Sequence, residues 1–413
     1  MGGWLLIPEH LRLGTWDLLK SWTETASNDD IDTRLAMQIV NEASLTVTGV
    51  RKSRKLNHQG FELANGLPFI ATDQEMHRLL EKHTIEQAKL LQINLGLLRS
   101  NIGDYQSDLL IFDPHRITSY SKRIMVRKKS KPQSPSKPVL QTFFSIDAQT
   151  GQPVSFVIGS SGKTTKNASI ELLDMVDRIF PSKERISLLA DTEHESVELI
   201  DYIIGSNKYD ILMPVARRKN TIEKIQNLDY KQHWPGYATA ETTHKYKSSK
   251  NNCRLIGQRT GEKEYTFKPF LATGGFSPLE LITEKYPKRW TIEEFFNFEG
   301  AIGWNRASTL NLNILYGKMS LALIAQSALY HLKKKLPKPY SNWCARHFAD
   351  SFLRGLDGDL RVKNDTIVVT YYGVPENLGL RKYYENLPDK LNKEGVNPRI
   401  PWLYNFKLDF RFK

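Results

Sequence analysis

The chain has 413 residues, of which 40% are hydrophobic and 10% aromatic, so it can bury a large core and is not a disordered protein. Its 58 lysines and arginines outnumber its 45 aspartates and glutamates, and the formal charge of +13 favours nucleic acid over membrane as a partner, although a merely basic enzyme has the same charge. Two distant cysteines exclude a Cys-x-x-Cys zinc site. Without a signal peptide or an apolar run of roughly 18 residues, the protein is expected to be cytoplasmic, with no membrane contact.

The first region, residues 1–104, is predicted to be helical. Apolar residues recur there at helical spacing, with Thr, Asp or Asn near the start of each segment, and the predicted helices cover 11–22, 30–42, 74–83 and 85–98. No helix-turn-helix is evident in it.

The next region, residues 105–215, alternates between strands and helices. The pattern predicts strands at 107–113, 139–147 and 153–159, followed by helix 167–179, strand 185–191, helix 196–204 and strand 210–215. This order predicts an α/β fold in which helices flank a mixed sheet.

Two of these strands, the runs 109–113 and 186–191, are predicted to end on Asp113 and Asp191. Carboxylates at the ends of two buried strands would repel each other and lose hydration, so a bound cation would compensate them. Either aspartate alone is better explained as a turn former. Alternatives, if the register differs, are Asp104, Asp108, Asp147 and Glu193. His115, two residues after Asp113, could reach a metal or a phosphate, but a loop histidine usually does neither. His194 and Glu195 are expected to begin the next helix.

Two loops of this region could contact phosphates. The segment 122–137 mixes Pro and Ser with basic residues and is interpreted as a clamp on a DNA backbone, the alternative being an ordinary solvated charge run; its candidate residues are Lys122, Arg123, Arg127, Lys128 and Lys129. The segment 159–164, Gly-Ser-Ser-Gly-Lys-Thr, resembles a phosphate-binding loop but lacks the required Gly-x4-Gly-Lys spacing, so nucleotide binding there is not expected.

Residues 216–275 have the character of an insertion of antiparallel strands, with β-like runs at 238–247, 254–258 and 264–267. Trp234 and Tyr237 flank a Pro-Gly turn in it. Packing against the sheet is the favoured role of these rings, and stacking of Trp234 on an extruded base is the alternative.

Residues 276–336 contain Tyr286, Arg289 and Glu293 close together in sequence. Thr291 is predicted to cap a helix in a Thr-x-x-Glu capping box with Glu294, which would place Glu293 in the first turn, where the macrodipole favours its charge. Arg289 could then clamp a phosphate bidentately next to that carboxylate.

A long apolar helix is predicted at 310–332. The remaining residues, 337–413, are predicted to form an extension with a helix at 343–354 and a hairpin of strands 360–362 and 366–371.

Asp113, Asp191 and Glu293, combined with the pattern Tyr-x2-Arg-x3-Glu, resemble the DDE transposases of bacterial insertion sequences, in particular the group with a Tyr-Arg-Glu-Lys signature. The resemblance covers roughly residues 105–335 and implies a ribonuclease-H-like core with a strand-rich insertion before the glutamate. The chain departs from the signature at Gly300, where the lysine is expected. A straight helix would place Gly300 on the face of Glu293, and Gly300→Lys is expected to leave folding intact.

The resemblance implies that Asp113, Asp191 and Glu293 are the catalytic residues and hold two Mg²⁺ or Mn²⁺ ions. Tyr286, Arg289 and the basic loop would contact double-stranded DNA, both transposon ends and target. A homodimer on paired ends, in the bacterial cytoplasm and associated with the nucleoid, is implied as well. The chain is expected to begin inside the usual N-terminal region of the family. Two alternatives remain, a ribonuclease-H-like nuclease without strand transfer and an inactive or repurposed DNA-binding remnant.

Overall fold

A computed structural model divides the chain into two compact units. One unit combines Met1–Leu98 with Phe296–Lys413, and the other is Arg99–Phe295. The structure describes the chain except for residues 24–29, 48–59, 120–124, 126, 129–134, 160–163 and 306–308 and the side chain of Lys128. The basic residues Lys122, Arg123 and Lys129 and most of the loop 159–164 therefore lie outside the described residues.

The N-terminal part of the first unit is helical, as the apolar spacing predicts. A 3₁₀ helix, Gly2–Leu6, precedes helices α1 (Ile7–Arg12), α2 (Thr15–Thr23), α3 (Ile31–Ser44), α4 (Phe61–Ala64), α5 (Asp73–Lys82) and α6 (Ile85–Asn101). The single helix expected at 11–22 is wrong in one respect, because Gly14 has a φ of +56° and separates α1 from α2. Thr72 and Glu75 form a capping box that fixes the start of α5.

The second unit contains a mixed sheet. Its strands among the described residues are β1 (Leu109–Thr118), β2 (Arg127–Lys128), β3 (Lys137–Asp147), β4 (Pro153–Gly159), β5 (Ile186–Ala190), β6 (Tyr209–Pro214), β7 (Lys231–Trp234), β8 (Tyr237–His244), β9 (Cys253–Thr260) and β10 (Thr266–Ala272). β3 pairs antiparallel with β1, β2 and β4, whereas β5 pairs parallel with both β1 and β6. This arrangement confirms the predicted ribonuclease-H-like mixed sheet with flanking helices.

Helices α7 (Thr165–Ile179), α8 (Val197–Ser206) and α9 (Lys219–Gln226) accompany this sheet. α7 buries Leu172, Leu173 and Val176, whose spacing gives the helix one apolar face, and it packs on β3 and β4. The side chains of Thr164 and Ser196 cap α7 and α8, which explains why these helices begin where they do.

The strand-rich insertion continues the same sheet. β10 pairs antiparallel with β6, and the order then runs β10, β9, β8 and β7. β7 and α9 were not predicted from the sequence. Because β10 adjoins β6, the side chains of the insertion share the faces of the sheet that carries Asp113.

A continuous helical run follows the insertion. It comprises α10 (Pro278–Glu280), a π-helical turn (Leu281–Lys285), a 3₁₀ turn (Tyr286–Trp290) and α11 (Thr291–Glu299). The run begins at Ser277, whose hydroxyl accepts a 3.2 Å hydrogen bond from the backbone N–H of Glu280. The predicted cap at Thr291 is therefore wrong: this residue already has helical angles (φ −54°, ψ −31°), and Glu293 does not lie in the first turn of a separate helix.

The C-terminal part belongs to the first unit. Helix α12 (Leu312–Lys333) is buried from Ile314 onward on nearly every side and packs against α3 and α5. The remaining elements are α13 (Ala345–His347), a π-helical segment (Phe348–Leu353), β11 (Gly358–Lys363), β12 (Thr366–Tyr371), α14 (Leu380–Tyr384), α15 (Leu387–Lys393), β13 (Arg399–Ile400) and β14 (Phe406–Phe412), with 3₁₀ turns at Gly300–Ile302, Tyr340–Asn342, Glu376–Leu378 and Pro401–Leu403. The predicted hairpin is confirmed, with Asn364 in its turn at a φ of +56°. Among the described residues, none of the helices combines the length and apolar character that a membrane crossing requires.

Candidate active site

Two parallel strands bring Asp113 and Asp191 next to each other. In the register of β1 and β5, Phe112 pairs with Ala190, and each aspartate is the residue that follows. β5 ends at Ala190, one residue before the predicted end, and Asp191 caps the turn Thr192–His194. The expectation that β1 ends at Asp113 is wrong, because β1 continues to Thr118 by pairing with β3.

Arg289 connects the first aspartate to the glutamate. One of its terminal nitrogens donates a 2.9 Å hydrogen bond to Oδ1 of Asp113, and the other donates a 3.3 Å hydrogen bond to Oε1 of Glu293. The side chains of Asp113 and Arg289 are 17% and 19% exposed, and that of Glu293 is 39% exposed. The structure thus joins three of the sequence-predicted residues through a single guanidinium group.

The two aspartates titrate differently. Burial, followed by repulsion from Asp191, raises the pKa of Asp113 to about 7, although Arg289 acts in the opposite direction. Burial also works to raise the pKa of Asp191, but the hydrogen bond from His194 and the backbone N–H of Glu193 outweigh it, and its pKa lies below the usual value. Asp191 is consequently ionised at neutral pH, whereas Asp113 holds its proton up to about neutrality.

The donor atoms at this site are of the type that a divalent cation prefers. The carboxylate of Asp113 is repelled by a neighbouring charge even with Arg289 in contact, so negative charge is in excess there. The candidate donors are carboxylate oxygens, which Mg²⁺ and Mn²⁺ prefer. As the side chains stand, no three His, Cys, Asp or Glu residues in the described part of the chain are close enough together to hold a metal ion. Arg289 lies between Asp113 and Glu293 instead.

Comparisons with known proteins identify the family. The sequence matches the family described as "Transposase DDE domain" over residues 104–327, which is more than half of the chain and includes Asp113, Asp191 and Glu293. The chain belongs to this family of DDE transposases. A search of curated proteins gave no match. A cryo-EM structure of the piggyBac transposase synaptic complex with hairpin DNA is similar to the chain at 12% sequence identity and a TM-score of 0.45, over 85% of this chain and 81% of that chain.

Tyr286 lies beside Arg289 in the transposase. Its ring packs edge-on against Phe270 at 5.0 Å, and the ammonium of Lys268 lies 5.6 Å from its centre. Burial raises the pKa of the phenol, so its hydroxyl remains a hydrogen-bond donor at neutral pH. The contact of Tyr286 with DNA stays a prediction.

The other predicted DNA contacts lie on separate elements. Trp234, at the end of β7, is 47% exposed and stacks on Tyr237, with ring centres 4.4 Å apart and planes 7° apart. The described part of the basic loop includes Arg127, whose guanidinium donates to the carbonyl of Ser136, and the backbone of Lys128 in β2. None of these residues contacts Asp113 or Glu293 in the described structure.

The alternative acidic residues have structural partners. Asp104 is buried and paired with Arg99, Asp108 pairs with Lys183, and Glu193 pairs with Arg116. Asp147 is fully buried and accepts hydrogen bonds from four backbone N–H groups, those of Gln106, Ser107, Gln149 and Thr150. His115 packs edge-on against Phe144. These structural contacts explain the presence of the five residues, so none of them requires a catalytic role.

His194 was missed by the sequence analysis, which placed it at the start of a helix. The structure places it in the turn after Asp191, with its ring 1% exposed and Nδ1 2.8 Å from Oδ1 of Asp191. The short Asp-x-x-His spacing was the available signal, because one helical turn returns the third residue to the aspartate.

The expectation that a straight helix places Gly300 on the face of Glu293 is also wrong. The α-helix that carries Glu293 ends at Glu299, and Gly300 begins a 3₁₀ turn in which it is buried. A Cβ at this position would lie 2.5 Å from the side-chain oxygen of Asn305. Lysine at position 300 would therefore not extend the face of Glu293 and would displace Asn305.

Proposed function

We propose that the chain is the transposase of a bacterial insertion sequence, which binds transposon-end DNA and catalyses metal-dependent strand cleavage and strand transfer. The observation that carries this proposal is the bridge from Asp113 through Arg289 to Glu293, with Asp191 on the adjacent strand. Membership of the DDE transposase family supports cleavage and transfer of DNA as the type of reaction.

Asp113, Asp191 and Glu293 are proposed to hold Mg²⁺ or Mn²⁺, with two ions expected. When bound, such ions supply activation of the attacking hydroxyl and stabilisation of the leaving oxygen in an in-line displacement. The chain itself provides the carboxylates at fixed positions. His194 keeps Asp191 ionised and oriented, and a bound positive charge would lower the pKa of Asp113, which burial and then repulsion by Asp191 raise to about 7.

Arg289 is proposed to exchange partners when DNA binds. Its two terminal nitrogens contact two carboxylates in the present structure, and the same fork geometry fits two oxygens of one phosphate. Tyr286 would orient the backbone next to that phosphate. Trp234 would stack on an extruded base, and the basic residues between β1 and β3, Lys122, Arg123, Arg127, Lys128 and Lys129, would bind the backbone of the duplex.

The proposed partners are double-stranded DNA, as transposon ends and as target, and a second copy of the chain on paired ends. The helical region 1–104 is proposed to contribute to end binding and dimerisation, residues 105–215 and 276–336 to form the catalytic core, 216–275 the insertion and 337–413 an extension.

Cleavage of a plasmid that carries the DNA flanking the gene tests the proposal. Incubation with Mg²⁺ should yield cuts at inverted repeats and joined products. Both kinds of product should be absent when EDTA is added and when the Asp191→Asn variant replaces the wild type. Cleavage without joining would instead identify a nuclease. Binding of the repeats without any Mg²⁺-dependent cleavage would identify a repurposed DNA-binding protein.

A further inference from the structure

Lys268, on β10, is a cation without an acidic partner beside the candidate active site. Its ammonium lies 5.1 Å from the centre of the Phe270 ring and 5.6 Å from that of Tyr286. Among the described residues, no carboxylate forms an ion pair with it. Tyr286 precedes Arg289 by three residues in the same turn, so Lys268 is adjacent to the guanidinium that holds Asp113.

Two further cations lie near Lys268: Arg289 follows Tyr286 by three residues, and Arg217 follows Val215, whose backbone N–H donates a hydrogen bond to the carbonyl of Pro269. Desolvation beside the rings and then the positive charges of Arg289 and Arg217 lower the pKa of Lys268. Arg217 is exposed and, within the described part of the chain, it forms no ion pair. Gathering three cations of which two have no counter-ion costs free energy in the isolated protein, and a bound polyanion would recover it.

The sheet register places Lys268 at one end of a polar row. Lys268 on β10 pairs with Gln258 on β9, Gln258 with Thr239 on β8, and Thr239 with Lys231 on β7. The adjacent row on this face begins with the buried Phe270 and Ile256 and continues to the exposed Glu241 on β8. Neighbouring strands about 4.8 Å apart give the row from Lys268 to Lys231 a length of about 14 Å.

The far end of this row also suits nucleic acid. Lys231 is exposed and has no ion-pair partner among the described residues. Gln258 donates a hydrogen bond to the hydroxyl of Tyr237, which places the stacked pair Tyr237–Trp234 on the same face of the sheet. A cation at each end and an exposed indole beside the row provide both the charges and the ring that a nucleic-acid strand requires.

We propose that Lys268 and Arg217 form a binding site for one backbone phosphate of the DNA strand at the active site, and that Lys231 binds a second phosphate of that strand farther along the sheet. The site rests on the proposed function, because it selects DNA as the polyanion. It assigns a role to the insertion that is separate from the carboxylates: holding the strand in register across four neighbouring β-strands.

Salt-dependent binding to a fluorescein-labelled DNA duplex of arbitrary sequence tests this site. The measurement is made in EDTA, so cleavage does not contribute. In a plot of log affinity against log NaCl, the magnitude of the slope should fall by about 0.9 in Lys268→Gln and by about twice that amount in the double variant with Lys231→Gln. The reason is that fewer counter-ions are released on binding when a phosphate contact is lost. Lys268→Arg should restore the wild-type slope.

Lys263→Gln is the matched control. Lys263 is an exposed lysine without an ion-pair partner in the described structure, but it lies in the turn between β9 and β10, outside the row. Its slope should equal that of the wild type, and neither Lys268→Gln nor Lys263→Gln should lower the midpoint of thermal unfolding. An unchanged slope in Lys268→Gln, or an equal loss in Lys263→Gln, would overturn this inference alone. Failure of the wild-type protein to bind DNA would overturn the proposed function as well.

Discussion

Asp113→Asn should stabilise the metal-free protein at neutral and alkaline pH while removing a proposed catalytic carboxylate. The folded chain raises the pKa of Asp113 from 3.8 to about 7, so between these pH values the folded protein retains a proton that the unfolded chain releases. The free energy of unfolding is therefore highest below about pH 4 and falls as the pH rises to about 7. This rise in pKa corresponds to at most about 4 kcal/mol.

Asparagine has nearly the same shape and no charge to lose, and its oxygen can still accept a hydrogen bond from Arg289. The free energy of unfolding of the variant should equal that of the wild type at pH 4 and exceed it by about 2–4 kcal/mol at pH 8. Urea unfolding followed by circular dichroism in EDTA, at a series of pH values, measures the difference. Glu294→Gln, an exposed position on the same helix as Glu293, is the control and should show no such pH dependence. A variant that is less stable at pH 8, or a difference that does not change with pH, would refute the electrostatic account of Asp113.

Four further predictions concern the surrounding residues. Glu293→Gln should abolish Mg²⁺-dependent cleavage and leave DNA binding in EDTA largely unchanged; residual cleavage at the normal rate would exclude Glu293 as a ligand. Arg289→Ala should tighten Mn²⁺ binding to the DNA-free protein, measured by electron paramagnetic resonance, because it removes a competing cation, and should weaken DNA binding about tenfold. A weaker affinity for Mn²⁺ would contradict the interpretation that Arg289 occupies the proposed metal site. Trp234→Ala should cost about 1–3 kcal/mol in binding to hairpin DNA with unpaired bases and little with a fully paired duplex, which fluorescence anisotropy can compare. Equal losses of affinity for the hairpin and for the paired duplex would indicate that Trp234 has only a packing role. Gly300→Lys should lower the free energy of unfolding by at most about 1 kcal/mol in urea, because the new Cβ meets only the end of the exposed Asn305 side chain, which can rotate away; a loss of several kcal/mol would show that the turn depends on the position of Asn305.

The sheet and the acidic residues were largely predictable because they depend on local sequence. The apolar runs before Asp113 and Asp191 are long enough to specify buried strands, and the α/β order then makes them neighbours. The end of β1 was not predictable in the same way. Pro114 suggests a break in the strand. At that point β5 has already ended, so the N–H that proline lacks has no parallel partner to bond. β1 therefore continues through its pairing with β3.

Features that depend on distant residues could not be predicted from local pattern. Thr291 has the local signature of a cap, yet the preceding residues are already helical from Ser277, and this context overrides the signature. Lys268 is an unremarkable lysine in the sequence. It becomes part of a cationic group only because β10 adjoins β6 and because Tyr286 packs on Phe270. The contact of Arg289 with Asp113 likewise joins residues that lie far apart in the chain.

Iron-directed cleavage of the protein tests the central claim, that Asp113, Asp191 and Glu293 hold metal ions at one site. Fe²⁺ added in place of Mg²⁺, together with ascorbate and hydrogen peroxide, cuts a polypeptide close to where the iron is bound, and mass spectrometry identifies the fragments. The account predicts cuts near all three residues, suppression of the three cuts by excess Mg²⁺, and their joint loss in Asp191→Asn. Cuts at other positions, or cuts near only one of the three that Mg²⁺ does not suppress, would contradict it.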